Sequence, residues 1–181
     1  MARASLTSNS KDVYYSWWTM DKWFIPRMYL RDFLHPRSPL SSTSLVKTAF
    51  FCDSFPLSAV KTFETLMSEY ESLIWPLQIM FRGYIDAHRV LLNCNQQLFV
   101  LAGENDRLMR LELMERTAAE YTIALGELER DMGITPGKGK GRVDFDEVEG
   151  SGHHLMNDRH WRDGVGILEE WFEAIEDVEL E

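Results

Sequence analysis

Cysteine is scarce in this sequence of 181 residues, which contains only Cys52 and Cys94. Two cysteines cannot form the dense disulfide framework of a small secreted domain, and their spacing matches no zinc-binding pattern. We therefore expect free thiols, no bound metal ion and a reducing, cytoplasmic environment.

Long apolar runs and an excess of positive charge are also lacking. No segment approaches the roughly 20 apolar residues that a membrane-spanning helix needs, and the N-terminal sequence MARASLTSNSKDVYYSWW holds no apolar stretch typical of a signal peptide. We expect a soluble protein without stable membrane insertion.

The chain has 19 Lys and Arg against 29 Asp and Glu, a formal net charge of −10. This charge argues against nucleic acid as a partner, because phosphate binding needs clustered basic side chains.

Aromatic side chains are abundant before residue 86. Residues 1–11 are polar and are expected to be disordered. In residues 12–85, prolines divide an aromatic-rich stretch into short helices, one of them expected over 60–70. We predict a helical cap whose aromatic side chains pack between helices, line an apolar substrate pocket or lie on a membrane surface. The candidate pocket residues are Trp17, Trp18, Trp23 and Phe24.

From residue 86 the pattern predicts alternating helices and strands. A short helix with Asp86 as its N-cap precedes the apolar run 98–103, which is typical of a buried strand. A long helix, a strand over 142–148 and a last helix follow. This order predicts an α/β fold with about two parallel strands flanked by helices. The expected buried stripe of the last helix comprises Trp161, Val165, Leu168, Phe172 and Ile175.

Candidate chemical groups follow both predicted strands, in the loops 103–108 and 150–156. Because the carboxyl ends of neighbouring parallel strands meet at one edge of a sheet, we expect Asp106 and His153 to share a cleft. A carboxylate in this position can accept the imidazole Nδ1–H and stabilise the imidazolium that forms when histidine takes a proton from a nucleophile.

These two loops resemble those of the α/β-hydrolases. Leu-Phe-Val-Leu-Ala-Gly-Glu-Asn-Asp-Arg-Leu (98–108) resembles the family's acid loop, and Val-Glu-Gly-Ser-Gly-His-His-Leu-Met-Asn-Asp (148–158) resembles its histidine loop, in the family's order. The resemblance implies that 12–85 is a lid and 86–181 the C-terminal part of the hydrolase core. It also implies that Asp106 is the triad acid and His153 the general base, with His154 as the weaker alternative. The alternative to these catalytic roles is that Asp106 is an ordinary turn residue and His153 an ordinary loop residue.

The family's G-x-S-x-G nucleophile elbow does not occur in these 181 residues. Ser151 lies in the histidine loop itself, and Cys52 and Ser54 lack the strand–turn–helix setting of an elbow. The resemblance therefore predicts a hydrolase of ester, lactone or related bonds in an apolar small molecule, without cofactors and nearly inert without a nucleophile and oxyanion hole. A complementing chain or a homo-oligomer is a possible partner. The alternative is a non-catalytic binding or protein-interaction module.

Three further patterns have plain explanations. A metal site at His153, His154, Asp158 and His160 is disfavoured because the spacing is not H-E-x-x-H. The run Gly-Lys-Gly-Lys-Gly (137–141) precedes a strand and lacks the G-x-x-x-x-G-K-[ST] arrangement, so we predict a flexible turn instead of a phosphate loop. The acidic segment 169–181 is expected to be a solvated helix face.

Overall fold

A computed structural model describes residues 35, 37, 40–69, 86–94, 96–135 and 137–179 of the chain. The described part contains α1 (Thr43–Phe50), α2 (Leu57–Glu64), α3 (Ala87–Asn93), β1 (Gln97–Gly103), α4 (Leu111–Asp131), β2 (Arg142–Val148) and α5 (Trp161–Glu179). The predicted α/β class is therefore confirmed. The predicted disorder of 1–11 and the candidate pocket residues Trp17, Trp18, Trp23 and Phe24 lie outside the described residues.

The two strands pair in parallel, and their register determines where the following loops begin. Gln97 pairs with Arg142 at one end, and Gly103 pairs with Val148 at the other. Both strands were predicted, because each is a short run of apolar or alternating residues that ends near a glycine. Since they end together, the loops after β1 and β2 leave the sheet at the same edge.

Helices α3 and α4 pack on this sheet and form one core. Leu91 and Ala124 are fully buried between the helices, and Leu98 and Val143 of the strands pack against them. Helix α3 begins at the predicted N-cap, because the Asp86 carboxylate accepts hydrogen bonds from the amides of residues 88 and 89. This core covers the face of the sheet against which α4 packs.

Helices α1 and α2 form a second core, centred on the fully buried Val46 and Val60. Helix α2 begins at Leu57, directly after Pro56, and ends at Glu64, so the helix predicted over 60–70 has the wrong bounds. The amides of residues 65, 66 and 67 bond to carbonyls only three residues back, which tightens the chain into a turn after α2. Tyr70 lies outside the described residues.

Helix α5 faces the sheet with a different side from the predicted one. Trp171 stacks on Phe99 with ring centroids 5.2 Å apart, and its indole N–H donates to Asp144 at 2.8 Å. Because a half-buried indole is best placed where its N–H has an acceptor, Trp171 determines the rotation of the helix. The predicted buried stripe is therefore wrong for three exposed members, Trp161, Val165 and Phe172.

The Gly-Lys-Gly-Lys-Gly run forms the predicted turn, and it is bonded to helix α4. Glu129 of α4 is 1% exposed, and its two carboxylate oxygens accept the amides of Gly137 at 2.6 Å and Gly139 at 2.9 Å. The amides that a phosphate would need are thus already bound to a carboxylate of this chain.

Two expectations from composition can be compared with the described residues. Cys52 and Cys94 are both free, as predicted. In the part of the chain that the structure describes, no helix has both the length and the apolarity needed to cross a membrane.

Candidate functional site

Asp106 and His153 are hydrogen-bonded to each other at the carboxyl edge of the sheet. Asp106 Oδ2 lies 2.8 Å from His153 Nδ1, so the predicted proximity of the two side chains is confirmed. Among the described residues, His153 does not line the cleft beside Asp106. The Asp106 side chain is 5% exposed and the His153 side chain 34% exposed. Because an ionised carboxylate can only accept a hydrogen bond, Nδ1 is the donor in this contact, and Nε2 is the ring nitrogen left to accept a proton. The pair is chemically able to take up a proton at Nε2.

The turn after β1 fixes the Asp106 carboxylate. Its Oδ1 atom accepts hydrogen bonds from the amides of Leu108 at 2.7 Å and Met109 at 2.8 Å, and the Asp106 amide donates to the Gly103 carbonyl at 3.0 Å. These bonds are typical of an aspartate in a tight turn. One oxygen therefore holds the turn while the other holds the imidazole.

The histidine loop lies directly against the acid loop, backbone to backbone. The Asn105 amide donates to the Ser151 carbonyl at 2.8 Å, and the Glu104 amide donates to the Val148 carbonyl at 3.1 Å. Glu104 Oε2 accepts the amide of Gly150 at 2.8 Å, a residue whose φ of 72° suits glycine. The Gly-Ser-Gly sequence before the histidine thus permits close approach of two backbones.

Asp158 also holds the histidine loop, a role that sequence reasoning missed. Its Oδ2 atom accepts the amides of Gly152 at 2.7 Å and Cys52 at 2.9 Å. In the sequence, Asp158 falls at the end of the run that resembles a histidine loop and within a disfavoured metal-ligand pattern, and neither suggests this role. An acidic residue between a glycine-rich loop and a helix was the available signal, but its backbone partners could not be inferred.

His154 points to different neighbours from those of His153. Its amide donates to the Phe50 carbonyl at 2.8 Å, and its ring packs edge-on against Phe63 at 5.0 Å and stacks with Phe51 at 6.1 Å. The weaker alternative of His154 as the base is therefore not supported, because its ring belongs to the aromatic cluster of α1 and α2.

Phe50 forms an apolar wall beside His153. Its ring centroid lies 5.9 Å from that of His153, with an angle of 30° between the ring planes. The sequence directs attention to the aromatics at residues 17–24, and no spacing signal singles out the end of α1. Phe50 is an aromatic residue that the described structure brings next to His153.

A cleft of about 490 Å³ opens beside Asp106. The Arg107 guanidinium binds the Asp53 carboxylate across it at 3.1 Å, which links the turn after α1 to the acid loop. Cys52 Sγ and Ser54 Oγ lie in this cleft 3.1 Å apart and pair with each other. The cleft is lined by Phe51, Cys52, Asp53, Ser54, Glu104, Asn105, Asp106, Arg107, Gly150 and His160.

Ser151 is fully buried, and its hydroxyl has no hydrogen-bond partner among the described residues. A nucleophile has to reach a substrate, so its burial agrees with the sequence interpretation of Ser151 as a loop residue. Within the same described ranges, no group of three or more His, Cys, Asp or Glu side chains is arranged to hold a metal ion.

Comparison with protein-family models, curated proteins and solved structures found no match to this chain.

Proposed function

We propose that this chain carries the acid and the base of an α/β-hydrolase-type hydrolase that cleaves ester, lactone or related bonds in an apolar small molecule. The observation that supports the proposal is the 2.8 Å hydrogen bond between Asp106 Oδ2 and His153 Nδ1, beyond the ends of two neighbouring parallel strands. An Asp–His pair with this geometry is the base-activating part of a catalytic triad.

The chemistry assigned to the pair is proton transfer. His153 Nε2 takes the proton of a nucleophile as that nucleophile attacks the substrate carbonyl, and then gives the proton to the leaving group. The Asp106 carboxylate stabilises the imidazolium between these steps. The nucleophile and the oxyanion hole come from a segment outside these 181 residues, either upstream in the same reading frame or on a complementing chain.

An apolar substrate is supported by the surroundings of the base. The Phe50 ring borders the His153 imidazole, and Phe50 packs edge-on against Phe63 with ring centroids 6.0 Å apart. Small-molecule sites are commonly lined by apolar and aromatic side chains with a few well-placed polar groups. The predicted roles of Trp17, Trp18, Trp23 and Phe24 as further pocket residues remain part of this proposal.

The test begins with the coding DNA upstream of the Met1 codon, read in frame for a segment that contains G-x-S-x-G. The extended protein and the 181-residue chain are assayed with p-nitrophenyl butyrate. We expect turnover only in the extended protein. Asp106→Ala and His153→Ala should each lower its kcat by roughly 10³-fold or more, as triad deletions do.

The matched control is Asp163→Asn, which removes an exposed carboxylate that pairs with His160 and should leave kcat unchanged. Turnover of the extended protein that survives both the Asp106 and the His153 substitutions would refute the proposal. Turnover of the 181-residue chain that His153→Ala abolishes would show that a nucleophile is present within it.

A non-catalytic binding module is the second candidate, and the cleft of about 490 Å³ beside Asp106 favours it. In that case the upstream DNA contains no elbow, and the chain is a well-folded monomer. Butyl butyrate should then shift the amide NMR signals of residues 51–54 and 104–107 without being hydrolysed. Unshifted signals at a saturating ester concentration would exclude this candidate for esters of that size.

A further inference from the structure

Asp158 is an almost fully buried carboxylate, with 1% of its surface exposed. Its Oδ2 atom accepts the amides of Gly152 and Cys52 at 2.7 and 2.9 Å, and Oδ1 accepts the amide of Arg159 at 2.5 Å. All three of these partners are backbone N–H groups. A buried charge is costly unless it is hydrogen-bonded, and here three amide dipoles compensate it.

Two of these amides come from segments that surround the base. Gly152 directly precedes His153, and Cys52 belongs to the turn that follows Phe50 at the end of α1. The same oxygen binds both amides, so it joins the histidine loop to the wall beside the imidazole. A Cβ atom on Gly152 would lie 2.7 Å from the Phe51 carbonyl carbon, which shows how closely the two segments approach.

We propose that Asp158 is a positioning residue for His153, an inference that rests on the proposed hydrolase function. Asp106 fixes the imidazole through Nδ1, and Asp158 fixes the backbone of Gly152, the residue directly before His153. Both constraints are needed, because a hydrogen bond at Nδ1 leaves the ring free to move with its backbone. A displacement of about 1 Å at a catalytic group can cost about 10²-fold in rate.

The test is Asp158→Asn in the 181-residue chain. Asparagine keeps the shape of the side chain but lacks the negative charge, so the hydrogen bonds that it still accepts are roughly half as strong as those of a carboxylate. It also replaces one acceptor oxygen with an NH₂ donor, so it cannot accept all three amides. The primary measurement is the exchange with water of the His153 Nδ1 proton, followed as a downfield imidazole resonance by ¹H NMR. We expect the proton to exchange at least tenfold faster in Asp158→Asn, while the amide shifts of α3 and α4 stay unchanged.

The matched control is again Asp163→Asn, which removes a carboxylate from the same region that is 67% exposed. Its Nδ1 proton should exchange as in the unsubstituted protein. A purely structural role for Asp158 would lower the global stability without changing this proton in the folded molecule. An unchanged Nδ1 proton in folded Asp158→Asn therefore overturns the proposal.

If Asp158→Asn does not fold, hydrogen exchange in the unsubstituted protein decides the matter. The amides of Cys52 and Gly152 should both be protected and should exchange at similar rates, because one oxygen binds both. Fast exchange of either amide overturns the proposal.

The positioning role and the hydrolase function can fail separately. In an active extended protein, Asp158→Asn should lower kcat about 10²-fold with little change in KM. Activity together with an unchanged Nδ1 proton would overturn the positioning role alone. Altered proton exchange in a protein that never hydrolyses esters would overturn the proposed function alone.

Discussion

Gly103 and Gly152 cross so closely that a Cβ atom on residue 103 would lie 2.2 Å from the Gly152 carbonyl oxygen. The neighbouring Ser151 carbonyl oxygen would be 2.8 Å away. Backbone atoms cannot move aside as the end of a flexible side chain can. The contact therefore requires glycine at the end of β1, and it brings the acid loop and the histidine loop together.

Gly103→Ala should consequently separate the two loops. We expect a loss of about 1–3 kcal/mol in the free energy of unfolding, the usual range for overpacking, together with faster exchange of the His153 Nδ1 proton. Urea unfolding and ¹H NMR measure the two effects. Gly166→Ala is the control, because no atom lies within 4 Å of its added Cβ and alanine favours a helix by about 0.5–1 kcal/mol. Equal stability of the two variants would contradict the argument.

The core between α3 and α4 depends on Leu91, which is fully buried. Leu91→Ala should lower the free energy of unfolding by about 2–5 kcal/mol, since it removes buried methyl groups and leaves a cavity. The adjacent Leu92 is 56% exposed, so Leu92→Ala should change stability by no more than about 0.5 kcal/mol. Urea unfolding of both variants is the measurement, and similar losses in the two would show that this helix packs with another face.

Glu129 should stabilise the glycine-rich turn before β2. In Glu129→Gln, one of the two amides that the carboxylate accepts faces an NH₂ donor, at a cost of about 1–3 kcal/mol. Hydrogen exchange at Gly137 and Gly139 should become faster, and urea unfolding should report the lost stability. Glu115→Gln on the exposed side of α4 is the control. The prediction fails if both variants leave exchange in the turn unchanged.

Tyr121 should ionise at a higher pH than an ordinary tyrosine. Desolvation by burial raises the pKa of its phenol above the ordinary value of 10.0, and the charges of Cys94 and Glu120 raise it further. A phenol whose pKa is higher in the folded than in the unfolded protein does not lower the free energy of unfolding below pH 10. The free energy of unfolding then falls as the pH rises through the pKa of the folded state. Alkaline titration of tyrosinate absorbance should show a phenol that ionises above pH 10 and that Tyr121→Phe removes. The same substitution should also weaken the fall in stability above pH 10. A Tyr121→Phe titration curve that matches the unsubstituted protein apart from one phenol of ordinary pKa would contradict the prediction.

The parts of the fold that sequence reasoning predicted correctly depend on local patterns. An apolar run that ends in glycine identified β1, and the Asp86 cap identified the start of α3. The contact between Asp106 and His153 followed from one additional rule, that neighbouring parallel strands end at the same edge. No knowledge of distant side chains was needed for these predictions.

The incorrect or missing parts depend on contacts between distant segments. Helix α5 has apolar residues on more than one face, and the acceptor for the Trp171 indole lies on β2, so periodicity alone could not determine its rotation. Glu129 and Asp158 look like ordinary surface acids in the sequence. Their partners are backbone amides, which every residue except proline carries, so no residue type marks the pairing.

The paired ends of the two strands make the contact between Asp106 and His153 sensitive to insertions. Asp106 comes three residues after Gly103, and His153 comes five residues after Val148. A slip of one residue between the strands shifts one loop by about 3.3 Å, more than the 2.8 Å that separates the two bonded atoms. Chain length between the strands can therefore vary within α4 and the turn after it, whereas the count of residues from each strand end to Asp106 or His153 has to be kept.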